Sequence, residues 1–267
     1  MLEQMYPVVF GILQGMFEWL PISSQGNLVI IMINLLSLNA QDALNLAIFL
    51  HTGTLFSVIV YFRRDLRHLL WRLGKYKPGF GSEEDSLITF LIISTIFTGL
   101  VGYPIYKVLT ASEFTGEVFL GLIGISLIAS GVIQKFSDFG RGLYRKLNLT
   151  DSVLLGLLQG ISAVPGISRS GITVSGFLLR NYSSEHALKY SFIMSIPAVL
   201  AAEIGLGLMG GLPAIPPEHA LLGILSSFFV GLVSIHVLLK VARRIKFWIF
   251  CIMIGIITLL PLAGYMM

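Results

Sequence analysis

Two polar stretches interrupt an otherwise apolar chain, and both are built from residue types that bind phosphate. PGISRSG (165–171) sets Arg169 between Ser168 and Ser170, with Gly166 and Gly171 nearby and Thr173 just beyond. A guanidinium offers a forked set of donors, the hydroxyls add more, and the glycines let backbone N–H groups approach a ligand closely. The second stretch, PISSQGN (21–27), carries Ser23, Ser24, Gly26 and Asn27. It follows QGMFEWL, where Gln14 and Glu18 are spaced i, i+4 and share one helix face directed at the turn.

The elements that must position these residues follow from composition and run length. Hydrophobic residues make up 55% of the 267 positions and charged residues only 12%, which describes an all-α polytopic membrane protein rather than a soluble domain. A spanning helix needs about 20 apolar residues. Six stretches are long enough: 43–62, 86–107, 116–136, 187–210, 219–241 and 247–266. Four are too short, 7–20, 28–38, 153–164 and 171–180, and they form two pairs, each broken by one of the polar turns. Irregular backbone at membrane depth survives only where protein or water satisfies its polar groups, so each pair is read as a re-entrant hairpin lining a cavity. The alternative is one full helix kinked at proline.

Basic residues test this arrangement, because lysine and arginine concentrate in short cytoplasmic loops. Threading the six spans from an inner loop holding Arg63, Arg64, Arg67, Arg72, Lys75 and Lys77 places 16 of the 18 basic residues on that side. The other inner groups are Lys135, Arg141, Arg145 and Lys146, then Arg180 and Lys189, then Lys240, Arg243, Arg244 and Lys246. Only Lys107 and Arg169 lie elsewhere. Both termini are then expected on the external face, the first pair enters from outside and the second from inside. Topology explains the net charge of +4, and no nucleic-acid partner is expected. Glu3 with no basic residue before the first apolar run argues against a cleaved signal peptide. The lone Cys251 excludes an intrachain disulfide, and no cluster of metal-ligand spacing is visible.

Residues 11–30 aligned without gaps to 156–175 give eight identities in twenty positions. Gly11, Leu13, Gln14, Gly15, Ile22, Ser23, Gly26 and Val29 match Gly156, Leu158, Gln159, Gly160, Ile167, Ser168, Gly171 and Val174. The chain is read as a single membrane domain (1–267) made by duplication, with pseudo-repeats at about 1–140 and 150–267. Each half is one re-entrant pair followed by three spans, and the odd number inverts the second copy. In inverted-repeat membrane folds, broken helices meet near the midplane with their N-termini toward anions, so the site is expected between the two polar turns.

Arg169 is the one basic residue assigned to the membrane interior, where an unpaired charge costs at least ~2.5 kcal/mol. It needs an anion. Among the acidic residues only Glu18 and Glu203 fall inside the apolar segments. Two readings are open: a structural pair with Glu18, or a phosphate or substrate anion completing the site, which is the expectation here. Glu203 either lines the cavity or neutralises a polar spot, and the sequence does not choose.

PGISRSGIT resembles the PGxSRSxxT signature of the undecaprenyl-diphosphate phosphatases of the bacitracin-resistance type, and QGMFEWLPISSQGN is similar to their (E/Q)xxxE-xLPxSSxGH segment. FLHTGTLFSVIVYFRRDL (49–66) also looks like that family's first full span with its basic exit loop. The resemblance covers nearly the whole chain. It implies inverted repeats with two re-entrant pairs, a multi-pass protein of the cell membrane with its site open to the external face, and removal of a phosphate from a long polyprenyl diphosphate. That reaction regenerates the lipid-phosphate carrier for glycan assembly. Magnesium or calcium is implied by the resemblance alone. By the same route Gln14 and Glu18 occupy the glutamine-or-glutamate and glutamate positions, Glu18 as metal ligand or general base, Ser24 of the Ser23–Ser24 pair as nucleophile or phosphate donor, and Arg169 as phosphate clamp.

One position departs from the pattern: the family's histidine after SSxG is Asn27. Asparagine hydrogen-bonds a phosphate but accepts no proton near neutral pH. His51, within the first full span, either supplies an imidazole or serves as a helix-packing partner, and packing is the commoner role. Beside the phosphatase, two alternatives therefore stand: a polyprenyl-phosphate carrier without hydrolysis, and a lipid-binding homologue. Small residues in GLIGIS (121–126) and GLGLMGG (205–211) suit packing within one chain or in a homodimer.

Overall fold

The computed structural model describes residues 2–111, 116–136, 145–209, 212–213, 215–241 and 247–265. Arg141, Gly210, Gly211, Arg243, Arg244 and Lys246, named above, lie outside the described residues. Eleven helices and no strand are found among the described residues. They are α1 (Leu2–Phe17), α2 (Ser24–Leu36), α3 (Ala40–Tyr61), α4 (Arg63–Leu73), α5 (Glu83–Ala111) and α6 (Gly116–Lys135). The rest are α7 (Leu149–Ile161), α8 (Arg169–Leu179), α9 (Ser184–Leu208), α10 (Pro217–Val241) and α11 (Phe247–Tyr265).

Five helices, α3, α5, α6, α9 and α10, are long and apolar enough to cross a membrane. The sixth expected span, α11, has a described apolar stretch of Trp248–Leu260, shorter than the others. Large side chains such as Ile96 and Leu100 on α5 and Phe229 and Val233 on α10 are exposed, as surfaces facing lipid require. Both polar stretches break their helices completely. Residues 18–23 separate α1 from α2 and residues 162–168 separate α7 from α8, so neither pair is one continuous kinked helix. At 1.5 Å per residue, the 13 residues of α2 and 11 of α8 reach only about 20 and 17 Å, less than the roughly 30 Å of bilayer hydrocarbon.

Side chains start these helices where the sequence places a capping residue. Asn39 accepts from Asp42 N at 2.8 Å to open α3, and Asn148 accepts from Asp151 N at 3.0 Å to open α7. Helix α4 was not expected: the sequence reading took 63–77 as a basic loop. Its apolar residues recur at helical spacing but never form a long run, so a search for spans passes over it. Arg72 ties it to α5 through both oxygens of Asp85, at 3.0 and 2.7 Å, and Asp65 accepts from Lys189 Nζ of α9 at 2.6 Å.

Glycines set the closest helix contacts. A Cβ on Gly11 would strike Ser226 of α10, and one on Gly15 would lie 2.7 Å from the Gly231 nitrogen. Their sequence matches behave alike on α5, with Gly156 facing the Ser94 carbonyl at 2.6 Å and Gly160 facing Val101 Cβ at 2.7 Å. Helix α1 thus packs on α10 and α7 on α5, while α3 meets α10 and α9 meets α5. Helices α3 and α9 contact each other, as do α6 and α11. In the last pair Gly124 packs within the chain, against Leu259. Beside Gly205 a Cβ meets nothing within 4 Å.

Gly156→Val should lower the thermal unfolding midpoint in detergent, since overpacking costs about 1–3 kcal/mol. Gly205→Ala, where the added methyl meets no atom, should not lower that midpoint.

Candidate active site

The two polar turns are held against each other by a small set of bonds. Ser23 adopts a left-handed backbone (φ 60) that ends the turn and caps α2. Its hydroxyl oxygen accepts from Gly26 N and, across the interface, from Gly166 N, each at 3.2 Å. Ser170 Oγ donates to the Leu20 carbonyl at 3.0 Å, which adds a second strap. Gly166 has φ 99, and a Cβ there would lie 2.5 Å from the Ile123 carbonyl, so only glycine fits. Gly26 is required for a similar reason, with Gly166 N 2.7 Å from its absent Cβ.

Neighbouring helices fix each turn in place. Gln134 of α6 donates to the Pro21 carbonyl at 2.7 Å, and Cys251 of α11 donates to the same oxygen at 3.0 Å. At the far end of the second pair, fully buried Asp151 accepts from Arg180 Nε at 2.7 Å and from the Tyr182 hydroxyl at 2.6 Å. Burial and that carboxylate push the Tyr182 hydroxyl far above the usual phenol range. Ser168 caps α8 by accepting from Gly171 N at 3.0 Å, and Thr173 bonds Ser191 of α9 at 2.7 Å.

Glu18 sits where the turns meet. Its backbone N–H donates to the Gln14 carbonyl at 2.9 Å, which continues the bonding of α1 by one residue. Oε2 accepts from Gln14 Nε2 at 2.9 Å, Ser24 Oγ at 2.7 Å and His51 Nε2 at 3.1 Å. Oε1 takes Arg169 Nη2. The guanidinium carbon lies 5.6 Å from the Trp19 ring centre, a cation–π position that further stabilises the charge. The pair between Arg169 and Glu18 is therefore formed, the reading that had not been the expectation. A cavity of about 290 Å³ opens beside it, lined by Glu18, Ser23, Ser24, Ser168 and Arg169 and by His51 and Glu203.

Some candidates lie away from that wall. Gln14, Gly26, Gly166, Ser170 and Thr173 support the turns from behind and do not line the cavity. Asn27 is likewise engaged elsewhere: Nδ2 donates to the Ile22 carbonyl at 2.6 Å and to the Ser23 carbonyl at 2.9 Å, and the latter also accepts the Asn27 backbone N–H at 3.1 Å. Sequence reasoning left His51 open as a packing residue, yet its Nδ1 lies 2.7 Å from the Ala47 carbonyl and its Nε2 meets Glu18. An i, i+4 or motif rule carries no signal for that contact, because it joins residues 33 positions apart. Gln159, the sequence match of Gln14, donates to Thr98 Oγ1 at 3.1 Å and also faces the cavity, as does Glu203.

A divalent cation does not fit the donors around Glu18. Four hydrogen-bond donors occupy its carboxylate, one of them a guanidinium that would face the ion at close range. No cluster of three His, Cys, Asp or Glu is poised for a metal among the described residues.

A family model described as "Bacitracin resistance protein BacA" matches residues 7–260. A protein of Methanococcoides burtonii named undecaprenyl-diphosphatase is 41% identical over 265 residues, covering 98% of this chain and 99% of its own. Proteins of the same name from Methanothrix thermoacetophila and Haloarcula marismortui are 39% and 36% identical. The first covers 97% of this chain and 96% of its own, and the second 93% of each.

Asn27→Asp keeps the side-chain shape and removes both donated bonds while setting a carboxylate against two carbonyls. It should lower the unfolding free energy by about 1–3 kcal/mol, read as a drop in thermal midpoint in detergent.

Proposed function

The chain belongs to the bacitracin resistance protein BacA family, and from that premise we propose that it is an integral membrane phosphatase acting on a polyprenyl diphosphate of the undecaprenyl type. The observation that carries this reading is the single Glu18 carboxylate that holds both the Ser24 hydroxyl and the Arg169 guanidinium at the cavity wall. The product is the polyprenyl monophosphate, which returns to service as a lipid carrier. No observation favours a carrier without hydrolysis.

In this reading Ser24 Oγ attacks the terminal phosphorus as its proton passes to Glu18. The bridging P–O bond breaks and polyprenyl phosphate leaves, taking the proton from Glu18. Water, deprotonated by the restored Glu18 carboxylate, then attacks the phosphoserine, and inorganic phosphate leaves as Glu18 returns the proton to Ser24 Oγ. Arg169, aimed by Trp19 and Glu18, meets the negative charge that develops on the phosphoryl oxygens, the dominant need in phosphoryl transfer. Ser168 lines the cavity at the start of α8, and the N-terminal end of that helix favours an anion in the same region. Gln14 orients the carboxylate from behind. The magnesium or calcium that family resemblance implies has no fitting donor set at Glu18, and no step is assigned to it.

The proposed topology keeps six spans, two re-entrant pairs and an inverted repeat of 1–140 on 150–267. Exchanged contacts support it: α1 on α10 mirrors α7 on α5, α3 on α10 mirrors α9 on α5, and α3–α9 and α6–α11 pair with themselves. Both termini are external in this scheme. The cavity opens outward, because its wall continues along Gly102, Tyr103 and Tyr106 of α5 and Leu206 and Met209 of α9, toward their external ends. A second copy of the chain would use Gly207, since Gly124 is packed on α11.

The test is phosphate release from C55 polyprenyl diphosphate by the purified chain in detergent. Wild type should turn over. Glu18→Gln and Ser24→Ala should each lower kcat by about 100-fold or more, and Arg169→Ala should lower kcat/KM by about 100-fold. No release by the wild type, or full activity of Ser24→Ala, overturns the corresponding assignment.

A further inference from the structure

Each oxygen of the Glu18 carboxylate is held by a donor that also lines the cavity. Arg169 Nη2 donates to Oε1, and His51 Nε2 lies 3.1 Å from Oε2. A carboxylate has about four lone-pair sites, and Gln14 and Ser24 take the remainder. A phosphate oxygen in the cavity needs the same donors, since N–H groups of arginine and histidine are what such an anion recruits. Carboxylate and phosphate cannot both hold them. Glu18 Oε2, surrounded by three donors, also accepts a full proton from Ser24 only after one of them leaves. Gln14 is buried behind the wall and Ser24 is the proton source, so His51 is the donor free to go. His51 donates from Nδ1 to the Ala47 carbonyl, 2.7 Å away, so an Nε2 that also donates to Glu18 makes the ring an imidazolium, whose Nε2–H can change partner without the ring leaving the cavity.

We propose that Glu18 acts as an internal phosphate mimic, and that an entering phosphate group takes over Arg169 and His51 and thereby frees Glu18 for Ser24. His51 is then a second phosphate-binding residue, on a different helix from either polar turn. This rests on the phosphatase reading for the identity of the ligand and not for the exchange itself.

The experiment measures binding of C55 polyprenyl monophosphate, with inorganic phosphate as a parallel probe, to the full chain in detergent. Glu18→Gln removes the competing charge and should bind the lipid phosphate about tenfold tighter than wild type. His51→Leu added to Glu18→Gln should lose about tenfold. Unchanged or weaker binding by Glu18→Gln overturns the exchange, and so does an unaltered affinity on adding His51→Leu. A measurement on the native site guards against misfolded variants. Trp19 is one of three tryptophans, and in a Trp71→Phe, Trp248→Phe background its emission reports the guanidinium above it. Lipid phosphate should shift that emission saturably, and Arg169→Ala should abolish the shift; no shift overturns the proposal. Phosphate release by wild type with no affinity gain in Glu18→Gln overturns the exchange alone. An affinity gain without any release supports the exchange and overturns the hydrolytic reading.

Discussion

The cost of a guanidinium in apolar surroundings is the constraint on which the rest of this structure depends. Arg169 opens α8 where the two polar turns meet, and it is tolerated because Glu18 and the Trp19 ring reach it from the other half of the chain. Leaving either charge buried without the other would cost several kcal/mol. The pair therefore stabilises the meeting of the two turns, and it also holds an anion-binding group ready in a place where water is scarce.

That meeting demands unusual backbone. Ser23 and Gly166 both take positive φ, and Gly26 and Gly166 leave no room for a side chain. Bonds from Ser23 to Gly166 and from Ser170 to Leu20 recover the polar groups that broken helices expose. Outer helices contribute as well, because Gln134 and Cys251 converge on one carbonyl, that of Pro21. Strain at the site is thus offset by contacts drawn from both halves of the sequence.

Much of this was legible in the residues. Run lengths separate the long helices from the short pairs, and the shared Gln, Gly and Ser positions relate one pair to the other. The matched glycines even keep matched packing roles, Gly11 and Gly15 on α10 and Gly156 and Gly160 on α5. What escaped was decided by contacts between distant positions. His51 looks like a packing histidine until α3 is set beside Glu18. Asn27 looks like a phosphate ligand until the turn at Ser23 brings the Ile22 and Ser23 carbonyls within reach of its amide. Helix α4 hides in a charged segment because its leucines recur at helical spacing without forming a long apolar run. Of the two readings left open for Arg169, the pair with Glu18 forms because Glu18 directly follows α1 and reaches across to α8.

The central claim is that one carboxylate–guanidinium pair joins the two turns, and a double-mutant cycle measures it most directly. Unfolding free energies in detergent would be compared for wild type, Glu18→Gln, Arg169→Gln and the double variant. The account predicts a coupling above about 1 kcal/mol, as expected for groups in buried contact. Additive effects of the two substitutions would contradict it.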